Sequence, residues 1–386
     1  MKSTRRHADR EVRMGVDNPR QFSYYLFENF DGKIESGNPW NPRSFITPAM
    51  DPLISVIADA PPGSISLAVM HEKFGISKVN QLLSGGVLRR EGDRLLFDTP
   101  IFLSEDVATI QTHFANAASG FAAKFATKKQ ELYSLAATLE NGFSAPVNLY
   151  HILCGMCLDG LFLDKLGETG ILANGRMHAT GLDYLSVIYE KCSALDSLSD
   201  GLLCSYNRIT DGVCALQSFG DSNGNRLDCY RYFRLREREK LTDVYKRIHA
   251  VTAAFTEANL LNAVKCLLAG TTADARIATS LEAFGYLKDG QICVPAYREE
   301  HRETIREIEN LLEELLLHPV VEALSNIKTL PITATAHGVP MKEVANECWH
   351  ILFGSINEAL VQMGLVAAPP YREGEGRYLQ SIEFYG

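Results

Sequence analysis

The apolar positions fall into short clusters punctuated by glycine and proline, and the clusters follow an order that occurs twice. Asp51 to Ala60 predicts a short helix ending at Pro61-Pro62-Gly63. Ser64 to Phe74 predicts a second, stopped by Gly75, and Ile76 to Ser84 a third, stopped by Gly85-Gly86. Val87 to Phe97 then places two short apolar segments around Glu91-Gly92-Asp93, a hairpin signal. Downstream, Leu241 to Phe255, Leu260 to Ala269 and Asp274 to Phe284 predict three more helices, followed by a shorter hairpin over Gly285 to Val294.

A long helix is expected after each hairpin. Ser104-Glu105-Asp106 opens the first as an N-cap with acids in the first turn, and Ile110, Phe114, Phe121 and Phe125 mark one face. The second, 299 to 317, carries Ile305, Ile308, Leu312 and Leu315 at helical spacing, a helix–helix seam, with its glutamates read as a solvated face. Each leads through a loop containing proline (Pro146 in one, Pro331 and Pro340 in the other) to a His-Ile-Leu helix. The first of these is apolar nearly all round (Leu149, Ile152, Leu153, Met156, Leu158, Leu161, Phe162), which predicts burial.

The two halves also match residue by residue. Tyr150 to Gly155 returns as Trp349 to Gly354, and Gly86-Val87-Leu88 as Gly285-Tyr286-Leu287, each 199 positions on. Gly170 to Ala173 returns as Gly364 to Ala367, Tyr184-Leu185 as Tyr378-Leu379, and Ile188 as Ile382, each 194 positions on. The pattern predicts two copies of one module of about 140 residues. Cys154 and Cys157 fall opposite Phe353 and Ile356, so their Cys-x-x-Cys spacing reads as packing rather than metal ligation. His151 matches His350, and Asp159 matches the acid Glu358. Each is open to two readings, a buried polar partner or a ligand-site residue.

Between the copies, Val213 to Phe219 and Arg226 to Phe233 flank Gly220 to Asn225, a predicted hairpin. Tyr184 to Tyr189 and Tyr378 to Phe384 are strand candidates expected to share one small sheet. The expected organisation is a basic, turn-rich arm (1–45), a first module (46–102), a helical segment (103–190), a β-hairpin insert (191–238), a second module (239–298), and a helical segment with a C-terminal strand (299–386).

Three helices followed by a hairpin resemble a winged helix-turn-helix. Leu82-Leu83-Ser84-Gly85-Gly86-Val87-Leu88, then Gly92-Asp93, has the rhythm of recognition-helix end, first wing strand and wing tip. The resemblance is to the superfamily, in the general character of MarR-like and PadR-like regulators, and covers residues 46–102. It implies a mainly α chain of α+β class: two winged-helix modules, each followed by long helices, as a pseudo-twofold tandem repeat with a small β insert. It implies double-stranded DNA as partner, with the third helix in the major groove and the wing on the backbone. The third helix would offer Ser77, Lys78, Asn80 and Gln81, amides suiting adenine and the lysine guanine or phosphate. Arg89, Arg90 and Arg94 of the wing would meet phosphates. Such regulators can hold a small-molecule effector at a helical dimer interface, which makes Tyr150, His151, Trp349 and His350 the candidate pocket. The second copy, with Thr271, Thr272, Asp274, Arg276, Thr279, and Lys288 beside Asp289, reads as a degenerate reader serving as structural partner.

Charge and composition narrow the picture. Over 386 residues the net charge is -9, which excludes a wholesale basic coat but not a local patch. Five basic residues lie in the first 13 (Lys2, Arg5, Arg6, Arg10, Arg13). Eight lie between Arg226 and Arg247 against four acids, with Tyr230, Tyr232 and Phe233 interleaved, read as either nucleic-acid contact or an ordinary exposed face. The phosphate-loop, dinucleotide, zinc-protease and nucleophile-elbow motifs are absent, so no catalytic residue, metal or cofactor is assigned and an enzyme is not the expectation. No 18-residue apolar run and no signal-peptide core stand in the sequence, and nine cysteines read as reduced thiols, so a cytoplasmic protein without a membrane partner is expected. The function expected is a DNA-binding transcriptional regulator built as a single-chain pseudo-dimer under effector control. The alternative is a protein-interaction or small-molecule-binding module that uses the winged helices as scaffold.

Overall fold

The computed structural model describes residues 19–28, 41–173, 175–192, 204–221 and 225–385. In chain order the first elements are β1 (Phe22–Glu28), α1 (Asp51–Ala58), α2 (Leu67–Phe74), α3 (Ile76–Ser84), β2 (Leu88–Glu91), β3 (Arg94–Phe97) and β4 (Ile101–Phe102). Next come α4 (Ser104–Thr127), α5 (Lys129–Ala137), α6 (Ala145–Leu149), a π-helix (Tyr150–Leu161), α7 (Phe162–Glu168), β5 (Tyr184–Glu190), β6 (Cys204–Thr210) and β7 (Cys214–Asp221). The last are α8 (Cys229–Glu237), α9 (Asp243–Thr252), α10 (Glu257–Leu268), α11 (Ala275–Phe284), β8 (Leu287–Lys288), β9 (Gln291–Ile292), β10 (Ala296–Arg298), α12 (Arg302–Ser325), α13 (Thr333–Ala336), α14 (Met341–Gln362) and β11 (Tyr378–Phe384). The class is α+β, mainly helical with small sheets.

Two compact units divide the chain. Unit 1 comprises Met1–His113, Leu166–Asp196 and Glu322–Trp349. Its α1 starts with proline in the first turn and buries Leu53, Ile54, Val56 and Ile57. Ser66 caps α2, its hydroxyl accepting from the Val69 N–H at 3.3 Å. The β2–β3 hairpin pairs Leu88 with Phe97 through Glu91 with Arg94. The segment entering α2 joins this hairpin: Ser66 bridges Arg94, the Leu67 N–H donates to Asp93 O at 2.8 Å, and the Leu95 N–H to Ile65 O at 3.0 Å. In the other sheet β5 is central, antiparallel to β1 along its length and parallel to β4, with Ile101 opposite Ile188.

Unit 2 comprises Phe114–Lys165, Ser197–Val321 and His350–Gly386. Its four-stranded sheet has the order β10-β11-β7-β6. Here β11 is antiparallel to β7 and parallel to β10, with Ala296 opposite Ile382. The helices α9, α10 and α11 share a core with that sheet, in which Tyr232, Tyr245, Leu260, Val264, Leu281, Phe284, Tyr286, Leu216 and Ile382 are buried.

Both helix triplets are found where the apolar clusters place them, because their caps and breakers are local. Four expectations need correction. The 1–45 segment is not all irregular: Phe22–Glu28 is a strand of the first sheet, while Lys2, Arg5, Arg6, Arg10 and Arg13 lie outside the described residues. Arg226 to Phe233 is not a strand. Asp228 accepts from the Arg231 N–H at 2.9 Å and starts α8 instead, and the hairpin is β6–β7, turning at Asp211-Gly212-Val213. Asp-Gly between apolar runs is a strong hairpin signal that outranks the later Gly220 run. Tyr184 to Tyr189 and Tyr378 to Phe384 occupy two different sheets. Finally, the second long helix continues to Ser325, and its buried stripe is Ile305, Ile308, Leu312, Leu316, Val320 and Leu324, with Leu315 half-buried beside it.

The two His-Ile-Leu segments take different forms. Tyr150–Leu161 runs as a π-helix, whereas Trp349 to Gly354 lies within α14. The stretch Ala145–Glu168 is long and apolar enough to cross a membrane by length and composition. In this structure Ile152, Leu153, Leu158 and Phe162 of that stretch are core residues.

Candidate nucleic-acid interface

The third helix of unit 1 is amphipathic in the sense a reader helix needs. Val79 and Leu82 are buried, Ser77, Lys78 and Asn80 are exposed, and Gln81 is half-buried. None of these four polar side chains has a protein partner among the described residues, so their donors and acceptors face water.

The three arginines of the β2–β3 hairpin divide. Arg90 is exposed and donates to the Gly92 carbonyl, and Arg94 is exposed and donates to Ser64 O at 2.9 Å, which among the described residues leaves most of each guanidinium fork unspent. Arg89 is committed to the interior of unit 1. It donates to Phe97 O at 2.7 Å and to His337 O at 2.6 Å, and pairs with Glu91 at 3.1 Å and Asp98 at 3.9 Å. Asp98 in turn binds Arg176, whose guanidinium reaches Glu343 at 3.2 Å. Burial pushes the Glu343 carboxyl up to about 7, against the opposing pull of Arg176. His337 accepts the Phe97 N–H at 3.2 Å on Nδ1, and burial, with Arg89 beside it, pushes it down to about 4.

The end of α3 is held from β5. The Tyr184 hydroxyl donates to Gly85 O at 2.7 Å, and the His178 ring stacks on Tyr184 at 3.9 Å. Gly86 has φ +67°, and a Cβ there would come within 2.3 Å of His178 Nδ1, so both backbone and space require glycine.

The corresponding surface in unit 2 is spent on itself. Arg276 of α11 pairs with its own N-cap Asp274 at 3.1 Å, Thr279 donates to Ala275 O at 3.0 Å, and Glu282 accepts the Gly290 N–H at 2.8 Å. The basic stretch from Arg226 runs into α8 and α9 rather than along a strand; several of its cations are engaged within unit 2, while Arg238, Lys240, Lys246 and Arg247 are exposed. Arg226 is fully buried against Asp228 at 3.0 Å, and Arg231 donates to Ser205 Oγ at 2.8 Å. Arg234 pairs with Glu237 at 3.2 Å, Arg236 donates to Phe255 O at 2.8 Å, and Arg247 pairs with Glu375 at 3.1 Å.

The candidate effector residues do not share a task. Tyr150 is buried against Phe219, ring centres 5.5 Å apart. His151 is fully buried, with Nε2 2.7 Å from Ser381 Oγ and 3.1 Å from Gln217 Oε1. Ser381 spends its single proton on Gln217 Oε1 at 2.7 Å, so it accepts from His151, which fixes the Nε2-protonated tautomer. Burial pushes His151 down to about 4, so it is neutral at pH 7. His350 stands 3.8 Å from Asp159, which burial pushes up to about 6. Trp349 is fully buried in unit 1. Cys154 and Cys157 are buried, and among the described residues no three metal-ligating side chains gather.

Sequence reasoning missed Asp98, Arg176, His337, Glu343, Gln217 and Ser381. For the last two a signal existed: each is a polar residue inside an otherwise apolar strand, where burial demands a partner. No protein-family model, curated protein or solved structure matches the chain.

Proposed function

We propose that the chain is a DNA-binding transcriptional regulator, a tandem of two winged-helix modules, with α3 and the β2–β3 wing of unit 1 as the reader. The observation that carries this is the join of Ser66 to Arg94. A single bridge and two backbone hydrogen bonds lay the segment entering α2 against the two-stranded hairpin beside α1, α2 and α3, and the polar face of α3 stays uncovered. Strand pairing supports the tandem. The strand after each wing runs parallel to a central strand, meeting Ile188 in unit 1 and Ile382 in unit 2, the very positions that match in sequence. Each central strand also has an antiparallel neighbour, β1 or β7. The reading includes no effector site, because Tyr150 and His151 are committed to the core of unit 2.

The test is binding to mixed-sequence duplex DNA at two salt concentrations, comparing the parent with a Lys78→Ala, Arg90→Ala, Arg94→Ala variant. Arg89 is left intact because it braces the wing. If the three cations meet phosphates, the slope of log affinity against log salt flattens by roughly 3 in the variant. No binding by folded protein at about 50 mM salt overturns the reading and leaves the winged helices as scaffold.

A further inference from the structure

A pair of winged helices reads two half-sites only if both third helices present unspent donors and acceptors to the groove. The two here differ in that respect. On α3, Lys78 and Asn80 are exposed without partners among the described residues, and the helix carries no acid. On α11, each exposed polar side chain is already engaged. Arg276 would have to leave Asp274, whose carboxylate also caps the helix by accepting the Arg276 N–H at 2.8 Å. Glu282, the acid within α11, accepts the Gly290 N–H of the β8–β9 turn and would have to release it to meet a cytosine amine. The wings differ in the same sense. Four residue pairs join β2 to β3, which carry Arg90 and Arg94, whereas two pairs join β8 to β9, with Lys288 beside the acid Asp289.

We infer that each chain carries one DNA-reading surface, not two, and recognises a single half-site without dyad symmetry, with Asn80 pairing with an adenine in it. The inference rests on the DNA-binding reading above and adds its valence and a base. An asparagine amide matches the N6 donor and N7 acceptor that adenine presents in the major groove, and α3 holds that amide with no competing partner.

The experiment selects preferred sites from random duplexes with the full chain, then footprints the selected site and measures the mass of the complex. The expected result is a motif with no inverted repeat protected by one chain. Asn80→Ala should lose about tenfold or more in affinity for that site while keeping its mixed-sequence binding. An Arg276→Ala, Thr279→Ala, Lys288→Ala variant should bind as the parent does. All four positions are exposed, and circular dichroism checks that each variant is folded. An inverted repeat with half-sites about 10 base pairs apart under a single chain overturns the inference, as does an equal loss in the α11 variant. Either result leaves DNA binding standing. Failure of the parent to bind any duplex removes the DNA reading itself and the inference with it.

Discussion

The two units fasten the end of their third helix with different chemistry. In unit 1 the Tyr184 hydroxyl holds Gly85 O, and the adjoining β2–β3 hairpin is tied by Arg89, Asp98, Arg176 and Glu343. In unit 2 the Gln380 amide holds Phe284 O at 2.5 Å, and Tyr286 donates to Gln217 O at 2.9 Å beside the neutral His151–Gln217–Ser381 cluster. The charged set sits where water reaches it: Arg89 is 25% and Arg176 23% exposed. The neutral set is fully buried. The division follows from desolvation, which is mild for a hydrogen-bonded neutral group and severe for an ion. Among the described residues unit 2 has exceptions: Arg226 with Asp228, at 0% and 1% exposure, where the arginine also donates to Gly220 O at 2.5 Å, and the buried Asp221 beside Arg377.

The sharpest way to break this contrast is to remove one carboxylate or cation from each unit. Asp228→Ala leaves the Arg226 charge buried without a counter-ion and uncaps α8, so about 3–5 kcal/mol of stability should be lost in urea denaturation. Arg176→Met, at a partly solvated site, should cost about 1–2 kcal/mol. Equal losses would mean that burial does not separate the two networks.

A smaller difference is expected at the glycine that follows each third helix. Gly86→Ala combines a left-handed backbone with a collision against a buried histidine ring and should cost about 2–3 kcal/mol. Gly285, at φ +87°, would bring a Cβ only to 3.0 Å from the end of the Gln380 side chain, so Gly285→Ala should cost about 1 kcal/mol. A larger loss at Gly285 than at Gly86 would show that the Gln380 side chain is the more rigid neighbour.

The subtlest effect is on pH dependence. Glu343 is raised from 4.5 to about 7, so in this window the folded state holds a proton that the unfolded state releases, and stability falls as pH rises from about 4.5 to 7. Asp159 in unit 2 acts in the same sense between 3.8 and about 6. His151 and His337, lowered from 6.5 to about 4, act oppositely: their contribution is present above 6.5 and is lost as pH falls towards 4. Glu343→Gln should therefore flatten the decline in melting temperature between pH 6 and 7, a window in which the Asp159 contribution is fading. An unchanged profile would place the Glu343 carboxyl in the ordinary range.

Much of the helical framework was legible because its signals are short-range. Gly75 and Gly85-Gly86 bound α3, and Ile110, Phe114, Phe121 and Phe125 of α4 are all buried as their spacing predicts. Where two local signals competed, the reading failed. Arg226 to Phe233 alternates like a strand, but Asp228 capped a helix there, and the Asp211-Gly212 turn took the hairpin. The candidate interface was half legible. Lys78, Asn80, Arg90 and Arg94 are exposed, while nothing near Arg89 in sequence announces that His337 and Asp98 will occupy it.

For the two helix triplets the sequence by itself determined where the helices lie, about where they stop, and which face of each is apolar, since caps, glycines and 3.6-residue periodicity act within a turn or two of chain. The tertiary structure decided which strands pair and which polar groups remain unspent. β5 takes β1 and β4 as neighbours, and β11 takes β7 and β10, from segments far apart in the chain. Arg89 and Arg90 are adjacent residues of the same type, yet one is bound inside unit 1 and the other faces water. Nothing local distinguishes them: a side chain's freedom depends on what distant backbone folding brings within hydrogen-bond reach.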